Sequence, residues 1–92
     1  MTGDIDAPDD PPPPGSAAEA RDALALETIE VDLFVEALFR RYGYDFRDYG
    51  KASLTRRVRN LATGFGAATV SDLTTRMLHA PERLPDIIAG LS

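Results

Sequence analysis

The sequence predicts an all-α fold: a small bundle of about four helices, preceded by a disordered tail that is acidic and rich in proline. Three observations support this fold class. Apolar residues recur at spacings of three and four along most of residues 28–92, which gives each helix one apolar face. No segment shows the strict alternation of apolar and polar residues that marks a half-buried strand. The N-terminal segment contains four consecutive prolines and few large apolar side chains, so it cannot contribute to a core.

The tail and the folded part differ in composition. Residues 1–16 are predicted to be disordered, and residues 17–92 to form the domain, with an ordered core at about 28–92. Residues 17–27 have strong helix propensity but little apolar surface, which predicts a short or frayed helix. A core of this size is marginal alone, which suggests that the domain packs against further protein.

The first helix with a full apolar stripe is predicted at Ile29–Tyr42. Thr28 is a suitable N-cap, and Gly43 suits the left-handed position that ends many helices. A second helix is predicted from residue 49 or 50 to residue 62. Its apolar residues fall within a narrow arc, with the arginines beside that arc or on the far side.

The third helix is predicted at Val70–His79, where Thr69 and Asp72 have the spacing of a capping box. A last helix is predicted from Pro81 through residue 91, because proline suits a first helical position. Pro85 removes one internal hydrogen bond, so this helix is expected to be kinked or to start late.

Charge is unevenly distributed in this chain of 92 residues and net charge -5. Residues 1–27 carry seven acids and one base, whereas residues 40–59 carry seven bases and two acids. Between Ala52 and Ala62 no acid is available to pair with the bases of the second helix. A solvated charged face is the ordinary explanation, but unpaired like charges favour a surface that meets a negative partner. The candidate contact residues are Lys51, Arg56, Arg57 and Arg59, with Arg40, Arg41 and Arg47 as weaker candidates.

The amino-acid composition argues against a metal site and against a catalytic triad. The chain has no cysteine and one histidine, His79, which is poor material for a zinc site or a catalytic triad. The segment "TGFGAA" follows a predicted helix rather than a strand, so it is interpreted as a helix end and not as a phosphate loop. The aromatic cluster at 42–49 is interpreted as packing between helices: Tyr42, Tyr44, Phe46 and Tyr49. With no long apolar run and no secretory signal, we expect a cytoplasmic protein without membrane insertion.

The order of these segments resembles a known family. "FVEALFRRYGYDFRDYGKASLTRRVRNL", followed by a short capped helix and "PERLPDIIAGLS", is similar to the N-terminal helical domain of CheR-type chemoreceptor methyltransferases. The resemblance implies a substrate-recognition domain of an S-adenosylmethionine-dependent protein-glutamate O-methyltransferase in chemotaxis signalling. It implies that Lys51, Arg56, Arg57 and Arg59 contact the acidic methylation helices of receptors.

The resemblance also implies that substrate recognition and cofactor binding belong to different domains of the parent enzyme. S-adenosylmethionine would be bound by a C-terminal methyltransferase domain of the parent enzyme, and no catalytic, cofactor-binding or metal-binding residue is predicted in this chain. Whether the chain alone is an enzyme is left open. Two alternatives remain: a free-standing helical interaction module in signalling, and a nucleic-acid-binding helical domain. We expect no nucleic-acid partner, because an acidic tail would compete with the nucleic acid for the basic helix.

Overall fold

The computed structural model describes residues 15–92, whose helices pack around one apolar core. The elements in chain order are α1 (Ala17–Tyr42), α2 (Lys51–Gly64), α3 (Val70–His79), a 3₁₀ turn (Pro81–Arg83) and α4 (Leu84–Leu91). The all-α prediction is confirmed. The predicted disordered tail falls mostly on residues 1–14, which lie outside the described residues.

Helix α1 is longer than the sequence suggested. Its 26 residues begin after Ser16, whose hydroxyl accepts a hydrogen bond from the Glu19 backbone N–H at 3.0 Å. The prediction of a separate or frayed segment with a new start at Thr28 is therefore wrong. Thr28 lies inside the helix, and its hydroxyl donates to the Leu24 carbonyl at 3.0 Å. The physical reason is that extending an existing helix through alanine-rich sequence requires no new nucleus.

The connection after α1 begins at Gly43, which has φ 85 as the predicted C-terminal glycine should. Phe46 is buried, and the half-buried Tyr42 donates its hydroxyl hydrogen to the Met77 carbonyl at 2.8 Å. The packing predicted for the aromatic cluster is confirmed for these two residues. It is wrong for Tyr44, which is exposed, whereas the exposed Tyr49 packs its ring edge-to-face on Phe46 with 4.8 Å between the ring centres.

Helices α3 and α4 follow the predicted local signals. Thr69 accepts from the Asp72 backbone N–H at 3.0 Å, and the Asp72 carboxylate accepts from the Ala68 N–H at 3.2 Å. The predicted cap at Thr69 is confirmed, and the Asp72 carboxylate binds the N–H of Ala68, one residue before the N-cap, rather than that of Thr69. The last segment forms a 3₁₀ turn before α4 begins at Leu84, so Pro85 lies in the first turn, where its missing N–H costs nothing.

The core joins α1 to α3 and α2 to α4. Its fully buried large side chains are Phe34, Leu38, Leu54, Leu73, Met77, Ile87, Leu91, Val31 and Val58. Helix α2 and helix α4 approach closely at Gly90, where an added Cβ would lie 2.5 Å from the Leu61 side chain. None of the described helices is both long enough and apolar enough to cross a lipid bilayer.

Candidate partner-binding surface

The basic side chains of α2 have three different environments: contact with α1, contact with α4, and exposure to solvent. Lys51 and Arg59 reach carboxylates of α1, Arg57 reaches the end of α4, and Arg56 is exposed without a polar contact inside residues 15–92. The sequence predicted a single unpaired face. The structure replaces it with two paired bases and two arginines that have no acid partner within the described residues.

Arg59 and Glu27 form a two-point ion pair. Arg59 Nε lies 2.9 Å from Glu27 Oε2, and Arg59 Nη2 lies 2.7 Å from Glu27 Oε1. The hydrogen bonds from Arg59 hold the pKa of Glu27 below its ordinary value, and Glu27 in turn raises the pKa of Arg59. The expectation that Arg59 lacks a local counter-ion is therefore wrong.

Lys51 also has a partner, because its Nζ forms an ion pair with the Asp32 carboxylate. Asp32 lies 19 residues earlier in the chain. An inspection of neighbours within one helix turn could not find this pair or the pair of Arg59. Both carboxylates belong to α1, so folding itself brings acids to the basic helix.

Two of the weaker candidates are paired as well. Arg40 Nε lies 2.8 Å from Glu36 Oε2, and Arg47 Nε lies 2.9 Å from Asp45 Oδ1. Hydrogen bonds from the Arg47 side chain lower the pKa of Asp45 to about 2. The Arg47 guanidinium also lies 3.9 Å from the ring centre of Phe39. These contacts fix Arg47 against its own domain.

Arg41 has no carboxylate partner within the described residues, but it makes other contacts inside the domain. Its Nε donates to the Leu78 carbonyl at 3.3 Å, near the end of α3. Its guanidinium lies 4.7 Å from the ring centre of Tyr42. A cation at a helix C-terminus complements the negative end of the helix dipole, so a structural role accounts for Arg41.

Arg56 and Arg57 differ from the other candidates. Within residues 15–92 neither side chain is paired with a carboxylate. Arg56 is exposed, whereas Arg57 is half-buried, and its Nη1 donates to the Leu91 carbonyl at 3.3 Å. That bond uses one of five guanidinium N–H groups, so Arg57 retains donors for an incoming carboxylate.

A groove between α2 and α4 lies beside Arg57. Its volume is about 330 Å³, which is at the lower end of the range for small-ligand sites. Its lining combines apolar and polar side chains: Arg57, Asn60, Leu61, Gly64, Phe65, Arg83, Asp86 and Gly90. The groove offers an apolar wall next to a guanidinium, which suits an acidic side chain on a partly apolar partner.

Nothing in the sequence indicated that Phe65, Arg83 and Asp86 would line this groove. Arg83 places its guanidinium 4.1 Å from the ring centre of Phe65, and its Nε lies 3.2 Å from Asp86 Oδ2. Because Asp86 neutralises Arg83, Arg57 supplies the uncompensated positive charge of the groove. The glycines at 64 and 66 marked a helix end, but no sequence signal showed that Phe65 would meet Arg83.

The ionisable side chains of this surface are mostly held in ion pairs within the domain. Among the described residues, no group of three or more His, Cys, Asp or Glu side chains could hold a metal ion. Three acids near the basic residues, Glu27, Glu36 and Asp45, have pKa values that are lowered by hydrogen bonds from their arginine partners. A carboxylate with a lowered pKa is a poor general base near neutral pH.

Comparison with known proteins places this helical domain in a family. Residues 29–91 match the family model described as "CheR methyltransferase, all-alpha domain". A curated relative, "Putative methyltransferase Cher3" of Pseudomonas putida, is 45% identical over 64 residues. That alignment covers 70% of this chain and 23% of the relative, so the chain spans about a quarter of that protein's length. No solved structure matches the chain. Because the family model covers all four helices from residue 29 onward, the chain belongs to the CheR methyltransferase family through its all-alpha domain.

Proposed function

We propose that the chain is the substrate-recognition domain of an S-adenosylmethionine-dependent protein-glutamate O-methyltransferase that acts on chemoreceptors in chemotaxis signalling. The proposal places the protein in the cytoplasm and makes the acidic methylation helices of receptors its partners. It is supported by the family match and by a relative whose name describes a methyltransferase.

The observation that carries the proposal is the pair Arg56 and Arg57. Both lie on α2, and both lack a carboxylate partner within residues 15–92. Arginine binds carboxylates through two parallel hydrogen bonds, which gives orientation as well as attraction. We therefore assign the main substrate contact to these two residues. Lys51 and Arg59 would contribute by exchanging their α1 carboxylates for those of the substrate. Arg40, Arg41 and Arg47, which are held by contacts within the domain, would be weaker outer contacts.

The groove beside Arg57 extends this contact. A helix rich in glutamate presents carboxylates one turn apart, separated by apolar or small residues. One carboxylate would meet Arg57 at the groove, and a neighbouring one would meet the exposed Arg56. Attraction between exposed charges is screened over about 8–10 Å at physiological salt, so the encounter should weaken as salt rises.

In this proposal the domain orients the substrate, and a C-terminal methyltransferase domain of the parent enzyme carries out the reaction. Residues 15–92 contain helices and turns without a strand, so the α/β cofactor fold implied by the family is not formed by these residues. None of the described residues is assigned to S-adenosylmethionine, which would supply the methyl group when bound elsewhere in the parent.

The test measures binding of the 92-residue chain to a synthetic helical peptide with glutamates spaced one turn apart. Its control peptide carries glutamine at the same positions. Replacing Arg56 and Arg57 together with alanine is expected to weaken binding of the glutamate peptide by about tenfold or more, since two charge-assisted contacts are lost. The variant should leave the weak binding of the glutamine peptide unchanged.

Arg21→Ala is the matched control for the single variant Arg56→Ala, because each of the two removes one positive charge from an exposed position. It is expected to change affinity by less than about twofold. Equal losses for Arg21→Ala and for Arg56→Ala would refute a specific contact. Tighter binding of non-specific DNA than of the glutamate peptide at low salt would favour the nucleic-acid alternative and contradict the proposal.

A further inference from the structure

The first half of helix α1 is held to the rest of the domain without any buried side chain. All buried residues of α1 lie beyond residues 17–30, which we call the arm. Only three residues of the arm are even half-buried, and all of them are glutamates: Glu19, Glu27 and Glu30. Glu19 belongs to the N-terminal cap of the helix, so Glu27 and Glu30 make the contacts between the arm and the other helices.

These two glutamates bind different helices. Glu27 forms the two-point ion pair with Arg59 of α2. The carboxylate of Glu30 accepts hydrogen bonds from the Ser71 backbone N–H, at 3.2 Å, and from the Ser71 hydroxyl, near the start of α3. Beside these contacts a cleft of about 410 Å³ lies between the arm and the first residues of α3. The arm is therefore attached by polar contacts beside open space, and exposed contacts of this kind stabilise only weakly.

The arm has the chemistry of the partner that the proposed function requires. It contains four acids and one base, and five of its residues are alanine. Glu27 and Glu30 are three residues apart, so they present carboxylates about one turn apart on one side of a helix. The arm is thus an acidic helix that is already bound to an arginine of the basic helix α2.

We propose that the arm is an intramolecular competitor: Glu27 occupies Arg59 in the free domain, and an acidic helix of the partner displaces it. The inference rests on the proposed function, because it describes how access to the same basic helix is regulated. Arg56 and Arg59 are three residues apart on α2 and are therefore neighbours on its surface. When the arm has moved away, these two arginines can bind carboxylates one turn apart on the partner.

The arm can open without disturbing the core. A helical segment of this length is marginal when it lacks packing, and unpacked helix ends open at low free-energy cost. The second half of α1 is anchored by fully buried side chains such as Phe34 and Leu38. Opening should therefore stop where the buried residues of α1 begin. Because the contacts of the arm are weak, it should lower the affinity for the partner severalfold rather than prevent binding.

A nitroxide label on the arm tests this displacement. The chain has no cysteine, so Ala23→Cys provides one labelling site. Ala23 is exposed and lines the cleft together with Thr69 and Val70. In the free chain the label should broaden the amide resonances of Thr69 and Val70. Saturation with the glutamate-rich helical peptide should reduce this broadening by at least about twofold, because the peptide selects the open arm. The glutamine peptide should leave it unchanged.

Glu27→Gln and Asp22→Asn form a matched pair in the labelled chain, because each removes one carboxylate charge from the arm. Asp22 is exposed and makes no polar side-chain contact inside residues 15–92. Glu27→Gln should reduce the broadening by at least about twofold even without peptide, since it weakens the contact that closes the arm. Asp22→Asn should leave the broadening unchanged.

The outcomes separate this inference from the proposed function, since isothermal titration shows independently whether the peptide binds. A peptide that binds at saturation without changing the broadening would overturn the displacement and leave the proposed function intact. Equal effects of Glu27→Gln and Asp22→Asn would also overturn it. A peptide that binds neither the original chain nor the Glu27→Gln variant would refute the proposed function, and the competition with it.

Discussion

Replacing Gly90 with alanine tests the close approach of α2 and α4 beside the groove. The added Cβ would lie 2.5 Å from Leu61 Cδ2 and 2.8 Å from Leu61 Cγ. Both distances are far shorter than ordinary contacts of 3.5–4.0 Å between carbon atoms. Either the half-buried Leu61 side chain must change rotamer or α4 must move away from α2.

The change in the free energy of unfolding for Gly90→Ala follows from two opposed effects. Overpacking of this kind costs about 1–3 kcal/mol, whereas removing glycine from a helix gains about 0.5–1 kcal/mol. We expect Gly90→Ala to lower the free energy of unfolding by about 0.5–2 kcal/mol. For a domain of this size, each kcal/mol shifts Tm by about 4–8 °C.

Gly64→Ala provides the control for helix propensity. Gly64 also lies in a helix and lines the same groove, but nothing lies within 4 Å of its added Cβ. Urea unfolding followed by circular dichroism should show Gly64→Ala at least as stable as the original chain and Gly90→Ala clearly below it. Equal stability of the two variants would refute the inferred contact between α2 and α4.

Two further predictions concern the ion pairs. Glu27→Gln should raise the affinity of the chain for the glutamate-rich helix by about two- to fivefold, because it releases Arg59 from a surface pair. Isothermal titration measures this change, and unchanged affinity would remove Arg59 from the contact. The second prediction uses Asp45, whose pKa is lowered from 3.8 to about 2 by hydrogen bonds from Arg47. A lowered folded-state pKa stabilises the fold above pH 4 and loses that effect as pH falls towards 2. Stability should therefore fall in this window, and Asp45→Asn should flatten the fall, as measured by urea unfolding at several pH values.

The helices could be predicted because their signals are local. The N-cap at Thr69, the left-handed Gly43 and the late start around Pro85 are each set by residues within one or two turns. The start of α1 was predicted wrongly because the helix was expected to begin where the apolar stripe begins, after Thr28. Ser16 caps a helix that continues through alanine-rich sequence into that stripe.

The ion pairs and the groove could not be predicted in the same way. Glu27 and Asp32 lie 32 and 19 residues from the bases that they neutralise. Their proximity depends on how α1 packs against α2, which helical periodicity does not specify. The stacking of Arg83 on Phe65 depends on the path of the 3₁₀ turn. The sequence identified the basic helix, and only tertiary packing separated Arg56 and Arg57 from the paired bases.

The most direct test of the substrate contact is nuclear magnetic resonance of the arginine side chains. The chain would be titrated with the glutamate-rich helical peptide while the arginine Nε–H signals are followed. The account predicts large, saturable shifts for Arg56 and Arg57, and small shifts for Arg47, which Asp45 already holds. Shifts that are largest at Arg47, or equal at all arginines, would contradict the assignment of the contact to Arg56 and Arg57.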